Sequence, residues 1–309
     1  STSRKRSRLY TVNGGIEFDL FKHFTWRTAG SYTWANSKST SFADENSTSY
    51  LMDATIGMNG SIANAESFKW QITNTLNYNQ TFAQKHKLNV LLGHEVSYSE
   101  AEGNKMTLIK FPYPNLFGLD DISNATVQDK SVTHSHSGIV SLFTRINYTF
   151  DERYLLTATV RGDGSSKFAK GHKWGVFPSL SGAWRISEEG FWKDSKIAET
   201  VNSLKLRVGY GTTGNCAIDD NMYTTSFLQS DYPMNNTIGN PAYVVNETLG
   251  NKDLKWETMH STNIGLDASL FNSRLNFTAE WYNNQVNDLL LKGKIPASTG
   301  HSYQFQNIG

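Results

Sequence analysis

The feature that most constrains this chain is a period-two alternation of apolar and polar residues, repeated over long stretches. Phe68, Trp70, Ile72, Leu76 and Tyr78 alternate with Lys69, Gln71, Thr73, Thr75 and Asn77, and Asn74 is the one polar residue on the apolar side. Val140, Leu142, Ile146, Tyr148 and Phe150 alternate with Ser141, Arg145 and Asn147. Leu204, Leu206, Val208 and Tyr210 face away from Lys205 and Arg207, and Leu275, Phe277, Ala279 and Trp281 from Asn276, Thr278 and Glu280. The same pattern covers 10–20, 24–34, 88–98, 156–160, 176–186 and 262–270. Successive strand residues point to opposite faces, so this period marks strands with one apolar face. About ten strands result, most of ~9–13 residues, whereas globular strands average ~5–6 and a tilted membrane-crossing strand needs ~9–11. The expected fold is all-β, an antiparallel transmembrane barrel wall.

Charge placement agrees with a lipid-facing side. Glu17, Asp19, Arg27, Glu95, Arg145, Arg161, Arg185, Lys205, Arg207, Asp267 and Glu280 all fall on the polar parity. A Lys or Arg facing lipid at the bilayer midplane costs ~2–4 kcal/mol, which explains the exclusion. A soluble β-sandwich would also keep charges off one face. The mean hydropathy of -0.48 and the lack of any apolar run near ~18 residues exclude a membrane-spanning helix, but not a barrel, whose alternation averages away. With 29 basic against 28 acidic side chains, no electrostatic case for nucleic-acid binding exists. A single cysteine, Cys216, rules out an internal disulfide framework and a cysteine-based zinc site.

The connections discriminate between the two folds. Turns of hairpin length at 21–23, 83–85, 151–153 and 271–274 alternate with long polar loops at roughly 38–66, 107–136, 164–173 and 214–255. Tight periplasmic turns alternating with long extracellular loops characterise outer-membrane barrels. The charged stretch 187–202 breaks the rule and is expected to hold a short periplasmic helix. Phe24, Trp26, Trp34, Tyr148, Phe150, Tyr154, Trp174, Phe177, Trp184, Trp281 and Tyr282 cluster near strand ends, as an interfacial girdle would.

At 153–189 the chain resembles a known family. Residues 153–168, RYLLTATVRGDGSSKF, contain Asp163, Gly164, Ser165 and Phe168. Then come WGVFPS, with Trp174 and Pro178, and AWRISEE, with Trp184 and Arg185. Next are LKLR and YGTTGN, ending in Gly214 and Asn215, then NKDLKWE at 251–257, with Leu254, Trp256 and Glu257. LNVLLGHE at 88–95, DLLL at 288–291 and QNIG at 306–309 also fit. The ordered set is similar to the SusC/RagA family of TonB-linked outer-membrane transporters of Gram-negative bacteria, with Lys252 where Pro is usual. The resemblance implies a plugged barrel of about 22 strands. It further implies coupling through TonB, a SusD-like surface lipoprotein that closes over the substrate, and oligosaccharide or peptide cargo. On this basis 1–309 is one partial barrel domain without its plug, non-enzymatic and without cofactor. The opening Ser1, the lack of a signal-like stretch and the ending at Gly309 fit an internal piece of a longer protein.

Several sharper motifs carry alternatives. Arg161-Gly162-Asp163 is an adhesion-type triplet, but also the strand-to-loop junction of the motif, where Gly162 and Gly164 would let the backbone turn. His134 and His136 share a strand face without an evident third metal ligand, and the Asp120-Asp121 and Asp219-Asp220 pairs do not match a twelve-residue calcium loop. The four basic residues among the first eight suggest either an anionic partner or a solvated loop end. No nucleophile elbow or catalytic grouping is present. Tyr113, Asn115, Tyr223, Tyr232, Asn235 and Tyr243, in the long loops, are candidate contacts for a glycan or peptide. The competing function is a secreted or surface-anchored β-sandwich that binds glycan or acts as an adhesin.

Overall fold

A computed structural model describes the chain except at 53–54, 113–117 and 235–236, with only the backbone described at 49, 229–234 and 237–242. All ten alternating stretches join one ten-stranded antiparallel sheet. Its order is β1 (Thr2–Phe21), β2 (Phe24–Ala43), β3 (Asn59–Phe82), β4 (His86–Ile109), β5 (Thr126–Phe150), β6 (Tyr154–Ser165), β7 (Trp174–Arg185) and β8 (Val201–Asn215), then β12 (Glu257–Leu270) and β13 (Leu275–Asn287). The connection between β8 and β12 holds a separate hairpin of β9 (Phe227–Met234) and β10 (Thr237–Val245), followed by the short β11 (Thr248–Leu249). β11 pairs with β15 (Tyr303–Ile308), which also pairs with β14 (Leu289–Lys294). The sheet is open, with β1 and β13 at its edges. Among the described residues no helix is long and apolar enough to cross a membrane.

Three of the four tight turns share one geometry. The amides of Lys85, Arg153 and Arg274 donate to the carbonyls of Phe82, Phe150 and Phe271, across central residues with positive φ: Ala83 and Gln84, Asp151 and Glu152, Asn272 and Ser273. Left-handed central residues match the right-handed twist of the flanking strands, which favours such turns in two-residue hairpins. The expected helical connection is also present, as a 3-10 turn at Ile186–Glu188 followed by α2 (Gly190–Lys193) and α3 (Ile197–Thr200), α1 being Thr48–Met52.

The strands run further than the alternation implied. β1 to β5 are 20 to 25 residues long, against 12 to 15 in the rest of the sheet. Much of the expected loops at 38–66 and 107–136 is therefore ladder. These extensions are polar on both faces, so backbone pairing continues where the hydrophobic period has stopped.

The chain divides into two compact units. The first comprises 1–14, 29–72 and 97–137, with Leu108 and Phe111 buried, and Phe111 edge-on to Phe42 at 5.3 Å. The second comprises 15–28, 73–96 and 138–309; its core is Phe168, Phe177, Ile218, Leu254 and Trp256. The apolar row stays exposed along the sheet, as at Leu142, Leu156, Leu180, Val208, Phe277 and Trp281. Such a face suits lipid. Asn74, the polar exception, accepts a hydrogen bond from Thr28 on β2.

Candidate functional site

The polar face of the second unit is extensively bonded. Arg161 on β6 is its most connected residue: Nε donates to Asp163 Oδ1 at 2.7 Å, and Nη2 to Ser141 Oγ at 2.9 Å and to Glu95 Oε1 at 3.1 Å. Thr73 on β3 donates to Glu95 Oε2 at 3.0 Å, so the chain of bonds crosses four strands. The guanidinium also lies 5.3 Å from the centroid of Phe143. Gly93 makes that arrangement possible, because a Cβ there would fall 2.1 Å from the Phe143 ring. Nearer the tight turns, Asn77, Asn89, Asn147 and Thr157 are joined by amide and hydroxyl bonds of 2.6 to 3.1 Å. On β8, Arg207 holds Asp267 with a two-pronged contact of 2.8 and 3.1 Å and reaches Glu280 at 2.8 Å. Planar amides and forked guanidinium groups bind polar solutes by geometry rather than by covalent chemistry.

At the long-loop end of β6, β7, β8 and β12, the motif residues converge. Phe168 and Leu254 are fully buried, and Trp256 packs against Phe168 and Phe177 with centroids 5.5 and 5.4 Å apart. Burying each such side chain is worth about 1.5–3 kcal/mol. Trp256 Nε1 donates to the Lys173 carbonyl at 2.8 Å, tying the 166–173 loop to β12. Glu257 accepts from Asn215 at 3.1 Å and from the Leu290 amide at 2.9 Å. Ser165 is buried. Trp174, whose side chain remains exposed, packs against Gly164, where a Cβ would lie 2.9 Å from its ring. Pro178 pairs with Val160 of β6 and falls just outside the β7–β8 ladder, which stops at Ser179–Gly211; its carbonyl accepts instead from Thr212 Oγ1 at 3.0 Å, so the residue without an N–H sits where that ladder ends.

Two expectations are corrected here. Phe177 is not part of an interfacial girdle: it is buried on the polar-parity side, under the loops. Its odd number in a strand whose lipid row is even was the available signal. Gly162 and Gly164 do not serve a turn, since both lie inside β6 without positive φ; Gly164 is needed for space beside Trp174. The Arg161-Gly162-Asp163 triplet is likewise strand, with its two charged side chains bonded to each other.

At the tight-turn end, Glu189, the last residue of the AWRISEE stretch, is a hydrogen-bonding hub that the sequence placed in a motif but gave no role. It is buried, and accepts from Tyr154 Oη at 2.6 Å, Trp184 Nε1 at 3.0 Å and Arg153 Nη1 at 2.8 Å. Those bonds, that of Tyr154 foremost, hold its carboxyl below the ordinary range. Trp184 stacks on Tyr154 at 6.4 Å, and the neighbouring Arg185 amide donates to the Arg153 carbonyl at 2.8 Å. Among the loop candidates, Tyr223 is half-buried in the turn after β8 and Tyr243 is exposed on β10. Tyr232 lies on β9, described by backbone alone, and Tyr113, Asn115 and Asn235 fall outside the described residues. Among the described residues no group of three or more His, Cys, Asp or Glu could hold a metal ion; His134 instead faces Glu102 at 3.2 Å.

The family model described as TonB dependent receptor-like, beta-barrel matches residues 1–309. The chain belongs to that family. It is 37% identical over 259 residues to TonB-dependent receptor P26 of Formosa agariphila, covering 82% of this chain and 25% of the relative. It is 36% identical over 192 residues to TonB-dependent receptor SusC of Bacteroides thetaiotaomicron, covering 60% of this chain and 18% of the relative. A solved structure of the RagAB peptide transporter superposes on 100% of this chain and 33% of its own, with a TM-score of 0.86 at 26% identity. The siderophore receptor PiuA of Acinetobacter baumannii, at 13% identity and a TM-score of 0.55, shares the fold. This TonB-dependent receptor chain thus spans about a quarter of the curated relatives' length. Its family is one of outer-membrane receptors and transporters, not of enzymes.

Proposed function

We propose that this chain forms part of the wall of an outer-membrane importer that takes up oligosaccharides or peptides by TonB-dependent transport, with a SusD-like lipoprotein closing over the substrate. On this proposal residues 1–309 are a single partial domain of a barrel of about 22 strands. The missing strands complete the wall, a plug absent from this chain fills the lumen and contacts TonB, and the long-loop end faces outward. The observation that carries the proposal is the two-faced sheet, apolar and exposed on one side and charged and hydrogen-bonded on the other. A wall between lipid and a polar interior calls for both, and the alternation of tight turns with long loops favours it over a β-sandwich. The likeness to SusC and to the RagAB peptide transporter supports the cargo class.

The polar face then guides solute past Arg161, the asparagine row and Arg207, while Tyr113, Asn115, Tyr223, Tyr232, Asn235 and Tyr243 contact cargo at the mouth. The knot of Phe168, Phe177, Leu254 and Trp256 holds the loops in place for that contact. The test isolates the full-length protein from outer membranes in mild detergent and identifies co-purifying proteins by mass spectrometry. A stoichiometric surface lipoprotein is expected. Recovery in the soluble secreted fraction without a partner would overturn the proposal in favour of the β-sandwich binder.

A further inference from the structure

The basic residues near the start of the chain have a place in the fold that transport does not use. In the first unit, Thr11 and Thr33 bond at 3.3 Å, Tyr10 stacks on Trp34 at 5.4 Å and Thr40 Oγ1 reaches the Arg4 carbonyl at 3.5 Å. These contacts share one register, so β1 keeps its parity from Val12 up to Arg4. Arg4, Arg6 and Arg8 therefore share the face of Tyr10 and Val12, the apolar and exposed row. The same register sets Arg6 directly across from Lys38, and Arg4, Arg6, Lys38 and Thr40 line one hollow. Like charges facing each other across a strand pair repel. Among the described residues none of the four cations has an ion-pair or side-chain hydrogen-bond partner; Glu66, which accepts from Trp34 Nε1 at 2.6 Å, and Glu102 line a separate hollow with Arg8, while the hollow of Arg4, Arg6, Lys38 and Thr40 holds no carboxylate.

Height decides what would neutralise them. Tyr10 and Trp34 are aromatic residues of the kind that mark the edge of the hydrocarbon. With ~3.3 Å per residue and a tilt of ~40°, Arg8, Arg6 and Arg4 rise about 5, 10 and 15 Å above that level. That is the depth of the headgroups, on the outside of the wall rather than in the lumen. Guanidinium forks match phosphate oxygens in a way that surface lysines alone do not.

We propose that Arg4, Arg6 and Lys38, with Arg8 below them, bind the phosphorylated headgroup of an outer-leaflet lipid. The inference rests on the outer-membrane placement of the chain and adds a lipid site on its outer face.

The test uses the full-length protein in detergent, titrated with a disaccharide glycolipid carrying two phosphates and read by native mass spectrometry. Heat-modifiable migration checks separately that each variant is a folded barrel, so loss of that property would indict the barrel and not the site. Each basic residue beside an anionic lipid surface is worth a factor of about five, so the triple variant R4Q/R6Q/K38Q is expected to bind on the order of a hundred-fold more weakly. Lys5→Gln, on the opposite face of β1, leaves binding unchanged. The dephosphorylated glycolipid does not bind, and millimolar inorganic phosphate does not displace the intact one. If the triple variant does not fold, Arg6→Gln alone is expected to weaken binding about five-fold and to reduce its salt dependence. Unchanged binding in the folded triple variant or in Arg6→Gln, an equal loss with Lys5→Gln, or full displacement by free phosphate would overturn the proposal. Loss of a co-purifying lipoprotein with lipid binding intact would instead make the patch a protein contact, and would overturn it as well.

Discussion

Two side chains show how single residues hold this sheet in shape. Phe177 occupies a niche bounded by glycines: a Cβ at Gly214 would lie 2.0 Å from its ring and one at Gly175 2.4 Å. Gly214→Ala is therefore expected to destabilise the full-length protein by about 1–3 kcal/mol through overpacking. In a Phe177→Ala background the same change should cost little, because the clash has gone. A urea-unfolding cycle on the four proteins checks this, and simple additivity would show that the niche is not the cause. Glu189 makes a pH prediction. Its carboxyl is held below the ordinary 4.5 by the bonds from Tyr154, Trp184 and Arg153. A depressed native pKa contributes stability above the unfolded value and loses it as pH falls through the native one. The thermal midpoint of the full-length protein should drop as pH falls below 4.5. Glu189→Gln should start lower at neutral pH and show a shallower acid slope. Parallel slopes for the two proteins would refute the assignment.

At the scale of elements, the long strands are the feature to test. A strand of 24 residues, as in β3 and β4, spans about 80 Å along its axis, or about 60 Å of height at a tilt of ~40°. The hydrocarbon core is only ~30 Å thick, so roughly half of each strand stands clear of it. Asn104 and Leu92 share one parity of β4, Asn104 on the extension and Leu92 in the apolar row, both exposed. Burial pushes the thiol of the native Cys216 up, which slows its labelling, and replacing it with Ser removes the background. In intact cells Asn104→Cys should then react with a membrane-impermeant maleimide and Leu92→Cys should not. Equal labelling would mean that β4 does not cross the bilayer where its apolar row places it.

For the whole molecule, the open edges at β1 and β13 set the behaviour. Each unpaired N–H or C=O left in lipid costs several kcal/mol, and an edge presents a row of them. Expressed alone, residues 1–309 should fail to insert as a monomer. A monodisperse, heat-modifiable monomer in detergent would contradict this.

What the chain determines by itself follows from how local each signal is. Strand identity and the parity of the apolar, exposed row were legible because alternation is written within each strand, and the tight turns because they interrupt it. The ordered motifs from Arg153 to Gly309 disclosed the family because their order along the chain is itself linear information. Tertiary structure alone decided the rest. The extensions of β1 to β5 carry no hydrophobic period, since neither of their faces is in hydrocarbon, and only their cross-strand partners show that they are strands. The burial of Phe177 depends on Trp256, far along the chain, and the role of Glu189 on Tyr154 and Trp184 arriving together from neighbouring strands. Arg161 could be placed on the polar face by its number, but its bonds to Glu95 and Ser141 depend on strand register, which sets residues distant in sequence a few ångströms apart.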